Sequence, residues 1–486
     1  MSNVSLEKFN ELKGKGISFP VCVKFQENEA EAIEIFHFIN GKYKFILEDR
    51  DREQNLKYSY MGFNPQMGIK FDDNKTTILT NLQSESVKEE QYKEGLFEAI
   101  RQYINLPFDE LDTKFPFLGG AIGYIGYDFI SNIENILHKS ESEKVIDIPE
   151  AFLMVYKNVM VFDHENNILN LIYNVQPTEK MGLAEIEEYL NKLYESIKCS
   201  MTIEKLGAIS LDTDVNKEFH SNFTKEEFCN LVTKAKEHVN KGDVFQVVLS
   251  QRFSKETKSN PFDIYRRLRV KNPSPYMFYI DFQEFKLVGA SPESLVKVRD
   301  RQVETNPIAG TRKRGRDYKE DAEIARGLLN DPKEVAEHVM LVDLGRNDVG
   351  KVSKVGSIDI SKFMTIENYS KVMHIVSEVT GKLRDGLDSV DAFKACFPAG
   401  TVSGAPKVRA MEIIDELERS KRSFYAGAVG YFCFNGNMDV AIAIRTLLYK
   451  DGMAHIGAGA GIVYDSDPEY EYNETFNKAN GIMEVV

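Results

Sequence analysis

With 486 residues and a formal charge of −14, the chain is too long for one simple core, so two domains or one large composite fold are expected. The acidic balance argues against a nucleic-acid binder, which needs a basic face for phosphate contacts. Cys22, Cys199, Cys229, Cys396 and Cys433 are scattered, with no CxxC pair and no regular spacing with His, and indicate neither a disulfide framework nor a zinc site.

The first residues, MSNVSLEKFNELKGKG, alternate charge with apolar residues and lack an apolar core, so no signal peptide is expected. No run approaches a membrane span. A soluble cytoplasmic protein with no nucleic-acid or membrane partner is the expectation. NLQSESVKEEQYKEG (81–95) and HKSESEKVIDIPE (138–150) read as exposed loops or helix starts, and MVYKNVMVFDHENNILNLIYNV reads as hairpins of an antiparallel sheet. The polar LDTDVNKEFHSNFTKEEF (211–228) suggests a junction near residue 215, dividing the chain into regions 1–215 and 216–486. GGAIGYIGYD (119–128) and AGAVGYFCFN (426–435) echo one another; two packed sheets of related design would explain that, and so would chance.

The second region carries the chemistry. In ETNPIAGTRKRG, followed by Arg316, the cations Arg312, Lys313 and Arg314 crowd a Gly-Thr turn, as if an anion came close, yet the residue facing the turn is Ala309, not a nucleophile. In DPKEVAEHVMLVDLGRND, Asp331 and Pro332 open a helix. Glu334 and Glu337 share one face of it; Glu334 reads equally as the capping-box partner of Asp331, a role that Glu337 cannot fill. His374, in YSKVMHIVSEV, alternates with Met373 and Ile375 on a strand, as a half-buried structural histidine or a proton acceptor. Thr401, in FPAGTVSGAPK, lies near a helix start, where anions are favoured.

Arg445 reads as part of a strand through MDVAIAIRTLLYK; an arginine among apolar residues needs a partner, either a structural carboxylate or a ligand. Gly457, Gly459 and Gly461 stand between two apolar strand segments, where backbone N–H groups can approach a carboxylate; with a strand-like run following, a Rossmann reading fails. Asp467 and Pro468 open a last helix with Glu471, Glu474 and Lys478 on one stripe. Glu474 and Lys478 read as a solvated i,i+4 pair, but two helices offering paired carboxylates also suit a hard cation such as magnesium.

GASPE, PIAGTR, EHVMLVDLGRND, YSKVMHIVSEV, FPAGTVSGAPK, GAGAGIV and ETFNKA, in this order and approximate spacing, resemble the chorismate-utilising enzymes, and within them the anthranilate-forming branch, most specifically over residues 220–486. The resemblance implies an α+β fold of two packed, largely antiparallel sheets covered by helices. It implies Glu337 and Glu474 as magnesium ligands, with Glu334 and Glu471 beside them. For chorismate it implies Gly310, Thr311, Tyr425, Arg445, Gly459, Ala460, Gly461 and Lys478, with Thr401 close to the chemistry. Glu293 matches the acid that protonates the departing C4 hydroxyl, and His374 the base that removes the C2 proton.

Related isochorismate and salicylate formers carry a water-activating lysine where DVFQVVLSQ has Gln246; aminodeoxychorismate formers often carry an attacking lysine where PIAGT has Ala309. The resemblance therefore implies that external ammonia adds at C2. It also implies a separate glutamine amidotransferase subunit to supply that ammonia. Residues 46–65 are similar to the family's inhibitor segment, so tryptophan is the implied feedback inhibitor, at Asp49, Pro275, Tyr276 and Met277. Asp49 stands where many relatives have serine, and plain structural packing would also account for these two segments.

Overall fold

The computed structural model describes residues 2–50, 55–84, 86–134, 142–211, 219–369 and 372–486. Two sheets of 12 strands each are built from these residues, and each takes strands from both halves of the chain. In the first sheet, Phe45–Arg50 lies beside Tyr276–Asp281; in the second, Gly120–Ile125 lies beside Ala428–Cys433. The proposed junction near residue 215 falls outside the described residues.

The strand Tyr276–Asp281 shows why runs such as YMFYI are continuously apolar. Alternate side chains point to opposite faces: Phe278 and Ile280 enter the core between the sheets, and Met277 and Tyr279 enter a second core beneath helices on the outer face. A strand buried on both faces carries no polar alternation. Contacts such as Phe45 with Tyr156 (ring centroids 4.6 Å apart) and Tyr124 with Phe282 (5.5 Å) join the two sheets across the inner core. The outer core is closed by helices including Leu183–Ile203, Pro261–Lys271 and Pro468–Met483.

Several local expectations change. The glycine-rich echo is not one strand from each of two sheets: the two segments are neighbours in one sheet, with Gly123 opposite Gly430. A Cβ on either glycine would strike a neighbouring strand's backbone, so close strand approach explains the shared composition. The expected series of hairpins is a single one, Asn158–Asp163 with Ile168–Val175; Ala151–Tyr156 belongs to the other sheet, and the chain changes sheets at Lys157. The loop expected over 81–95 contains an exposed edge strand, Lys88–Tyr92. Every cysteine is a free thiol. Among the described residues no helix is long and apolar enough to cross a membrane.

Candidate active site between the sheets

Two of the places where the chain passes from one sheet to the other build the centre of the site. Phe285–Ser291 lies in the first sheet and Ser294–Arg299 in the second, so Pro292 and Glu293 make the crossing. Met438–Ile442 lies in the second and Thr446–Lys450 in the first, so residues 443–445 cross back. Arg445 is therefore not inside one continuous strand. It occupies the left-handed region (φ 49°), which costs a non-glycine residue about 1 kcal/mol or more and persists where surrounding structure enforces it. That structure is the other crossing: Ile442 N donates to Glu293 O (3.0 Å), Ala290 N to Arg445 O (3.0 Å) and Ser291 Oγ to Ile442 O (2.7 Å).

Arg445 is exposed to solvent although protein atoms crowd its surroundings. Burial disfavours its charge, opposed by the neighbouring Tyr425. Glu293 lies in the same kind of place, partly accessible yet enclosed. Burial pushes its carboxyl up to about 7, against the lowering effects of a hydrogen bond from Thr401 Oγ1 (2.9 Å) and of the Lys478 charge. Such a carboxyl can hold a proton near neutrality and release it.

His374 lies on the strand Val372–Lys382, as expected, with Met373 and Ile375 packed behind it. Its Nδ1 is 3.0 Å from Gly310 O and 3.1 Å from Thr311 Oγ1. A carbonyl only accepts, so the ring proton sits on Nδ1 and Nε2 keeps its lone pair. Gly310 makes this geometry: it is the extra residue of a bulge between Ala309 and Thr311, at φ 63°, and a Cβ there would press on Leu328 and Glu334. Burial chiefly, and the Arg445 charge, lower the imidazole pKa; the bond to Gly310 opposes them.

Gly457, Gly459 and Gly461 sit inside one strand, Met453–Ile462, rather than between two, and a helix follows after a short turn. A Cβ on Gly457 or Gly459 would meet the Tyr425 side chain, and one on Gly461 would meet Gln246. Beyond Ile456 this strand pairs only with Gln246–Glu256, because its other neighbour stops where the chain turns toward Arg445. The backbone from Gly457 to Gly461 is thus free of a strand partner on one side.

The acidic helices start as expected. Asp331 caps Pro332–Gly350 and Asp467 caps Pro468–Met483, each followed by proline. Glu334 does not close a capping box; it accepts from Arg312 Nη1 (2.8 Å), whose Nη2 reaches Asp331 (3.0 Å). Arg314 is held by Asp321, and Arg316 by Glu320 (2.9 Å). These three arginines thus meet carboxylates of the protein itself. Glu337 is lifted by burial and then by Glu334; Lys478, Lys333 and a hydrogen bond from Gln246 lower it. Glu471 is likewise lifted, by burial first and by Glu474. Glu474 is paired with Lys478 (2.7 Å), whose Nζ also donates to Gly459 O (3.1 Å). Among the described residues no three His, Cys, Asp or Glu side chains converge as a ready-made metal cage.

A separate cavity of about 250 Å³ between the sheets is lined by Asp49, Tyr276, Met277, Lys297, Tyr431 and Asp439. Asp49 and Tyr276 lie directly opposite on adjacent strands, while the Met277 side chain belongs to the outer core. Pro275 borders a neighbouring cavity of about 120 Å³. A larger cavity of about 500 Å³, beside the helix Lys407–Leu417, contains none of these residues. Sequence reasoning missed the Arg312 ties, the Gln246 contact and a buried pair, Arg422 with Glu418 (2.6 Å), under Tyr127 and Tyr425. Only the last carried a signal, its i,i+4 spacing.

Residues 42–484 match the model of the chorismate binding enzyme family, and the chain belongs to that family. It is 46% identical over 457 residues to anthranilate synthase component 1 of Lactococcus lactis subsp. lactis, covering 93% of this chain and 96% of the relative. It is 38% identical over 480 residues to that of Bacillus subtilis, covering 96% and 92%. The structure is similar to anthranilate synthase component I from Streptococcus pneumoniae, with TM-score 0.78 and 41% identity over 88% of this chain and 92% of the other. The fold is shared with the menaquinone-specific isochorismate synthase from Escherichia coli (TM-score 0.69, 18% identity, 99% and 98% covered).

Proposed function

We propose that this chain converts chorismate and ammonia to anthranilate and pyruvate, as the aminating subunit of an anthranilate synthase in the cytoplasm. One observation carries the reading: an acid held near neutrality, Glu293, lies in the crossing hydrogen-bonded to that of Arg445, and the Arg445 charge acts on a base with a free Nε2, His374. Arg445 binds a carboxylate of chorismate, and the backbone from Gly459 to Gly461, with Lys478 and Tyr425, frames the ring. Glu293 gives its proton to the departing C4 hydroxyl, which leaves as water while ammonia bonds to C2. The C2 ammonium so formed loses a proton to solvent; Nε2 of His374 then removes the C2 proton, and the electron pair restores the aromatic ring as the enolpyruvyl C–O bond breaks, the departing enolate taking up a proton to become pyruvate. Thr401 holds the Glu293 carboxyl in place.

Glu337 and Glu474 would hold magnesium, with Glu334 and Glu471 beside them. The residues fit, because magnesium takes one or two protein carboxylates and leaves other positions to water and substrate, and a dication would offset the burial, and the like charges of Glu334 and Glu474, that lift Glu337 and Glu471. When bound, it would draw negative charge onto the ring carboxylate and so ease addition and loss at the ring. Gln246 and Ala309 offer no basic nitrogen, which leaves ammonia as the nucleophile; its source is a separate glutamine amidotransferase subunit. Region 1–215 serves regulation. Tryptophan binds in the cavity at Asp49 and Tyr276, near Pro275 and Met277, its ammonium meeting Asp49 or Asp439, and favours a less active state.

The test is purified protein with chorismate, magnesium and ammonium salt. Anthranilate and pyruvate should appear in equal amounts, and glutamine should replace ammonia only when the second subunit is added. Isochorismate or a 4-amino product would overturn the reading.

A further inference from the structure

His374 has a neighbour on each side. It faces Thr311 on the strand Ile308–Lys313 and, across its other edge, Glu367 on Asp359–Asn368. Directly opposed residues of antiparallel strands hold their Cβ atoms about 4.5–5.5 Å apart on one face, so Thr311, His374 and Glu367 form a row. Two irregularities earlier in the Glu367 strand, around Lys362, set that register, with Met364 in the left-handed region (φ 53°). A slip of one residue would turn Glu367 to the opposite face.

Tyr369 closes the row. Its ring stands edge-on to the imidazole, 5.4 Å away at 68°, and its hydroxyl donates to Glu367 Oε2 (3.3 Å). Arg314 Nη1 donates to its backbone carbonyl (2.8 Å). Glu367 and Tyr369 border the cavity of about 120 Å³, together with Arg50 and the ion pair Lys362–Glu378 (2.8 Å).

We propose that Glu367 is a positioning residue for His374: its carboxylate, with the Tyr369 ring it anchors, orients the imidazole and steadies the imidazolium formed when Nε2 takes a proton. This rests on the reading of His374 as the base. The surrounding charges give the need for it. Arg445 opposes a positive imidazole, Thr311 is neutral, and Arg312 and Arg314 are tied to Asp331, Glu334 and Asp321. Glu367 favours the imidazolium from the adjacent strand, as an opposite charge at such range does. Gly310 fixes the tautomer, and Glu367 supplies the countercharge.

Glu367→Gln keeps the size and removes the charge. Two quantities decide: the pKa of His374 itself, followed by NMR of selectively labelled histidine and assigned with His374→Gln, and the acidic limb of kcat/KM against pH with ammonia. The imidazole pKa should fall by roughly half a unit or more, the acidic limb should move to lower pH by the same amount, and kcat at neutral pH should drop several-fold with little change in KM. Glu367→Asp, which retains the charge at a greater distance, should fall between, and decides alone if the Gln variant does not fold. An unchanged imidazole titration overturns the proposal. A lowered imidazole pKa with an unmoved acidic limb upholds the Glu367 contact and removes His374 as the base.

Discussion

The two acidic helices follow one plan and reach different electrostatics. Each opens with a capping aspartate and a proline, and each sets two glutamates three residues apart. In the first, the glutamate nearer the cap, Glu334, is neutralised by Arg312, and Glu337, one turn deeper, is lifted by burial. In the second the order is reversed: Glu471, nearer the cap, is buried and lifted, while Glu474 is paired with Lys478. Arg312 comes from a strand and is itself held by Asp331, whereas Lys478 comes from the same helix as Glu474, and the two cations are about equally exposed. Exposed i,i+4 pairs contribute only about 0.3–0.5 kcal/mol, so Glu474 can exchange its partner far more readily than Glu334. If magnesium binds between these helices, the cations supplied to each, rather than the number of acids on it, would decide which carboxylate takes the metal.

The largest expected effect breaks or upholds that comparison directly. Glu337→Gln and Glu474→Gln should each lower ammonia-dependent kcat by about a hundredfold or more and weaken magnesium binding measured by calorimetry, with the circular dichroism spectrum unchanged. If Glu471→Gln is the crippling change and Glu474→Gln is mild, the two helices use their lifted carboxylates instead. Removing the exchangeable cation comes next. Lys478→Met should raise the KM for chorismate about tenfold, or about 1.4 kcal/mol, while magnesium binds more tightly, because Glu474 has lost its competitor. A similar tightening in Arg312→Met would mean that Glu334 is as available as Glu474.

Glu293 lies on neither helix and sharpens the contrast, having no ion-pair partner of its own among the described residues. As the acid it must be protonated, so kcat/KM should fall as pH rises through about 7; as pH falls through the lowered His374 pKa the base is lost, which closes the bell on the acid side. Thr401→Val removes a hydrogen bond that favours the carboxylate, so the alkaline limb should move to higher pH, by up to about one unit. The smallest effect concerns the caps. Asp467→Ala should cost about 1 kcal/mol of stability, and Asp331→Ala more, because it also releases Arg312; equal losses in thermal denaturation would show that the Arg312 tie contributes nothing.

What was legible in the sequence was local. Asp-Pro marks both helix starts because capping and the fixed proline φ act within one turn, and the alternation around His374 marks a strand because side chains alternate over two residues. Arg445 was misplaced because nothing in MDVAIAIRTLLYK says that its two ends belong to different sheets; the left-handed turn is imposed by hydrogen bonds from the Glu293 crossing. The pairing of Arg312 and Arg314 was not legible in the RKR run because their carboxylate partners lie on helices that only the fold brings near. Glu367 gave no signal, since its place opposite His374 depends on irregular strand register. The resembling motifs named candidate residues, but not the partners that the fold gives them.

The interleaving of the two sheets also governs how the chain is made. Leu47 pairs with Phe278 and Ile122 with Tyr431, so early strands wait for partners from far along the chain, and such long-range pairing is intrinsically slow. A nascent chain leaving the ribosome holds two half-sheets with open edges, the form most prone to pairing with the wrong neighbour. The second sheet is complete only once Met438–Ile442 is made, and the first only when Met453–Ile462 takes its place, so this protein can close its catalytic gap only after nearly all of it has been synthesised.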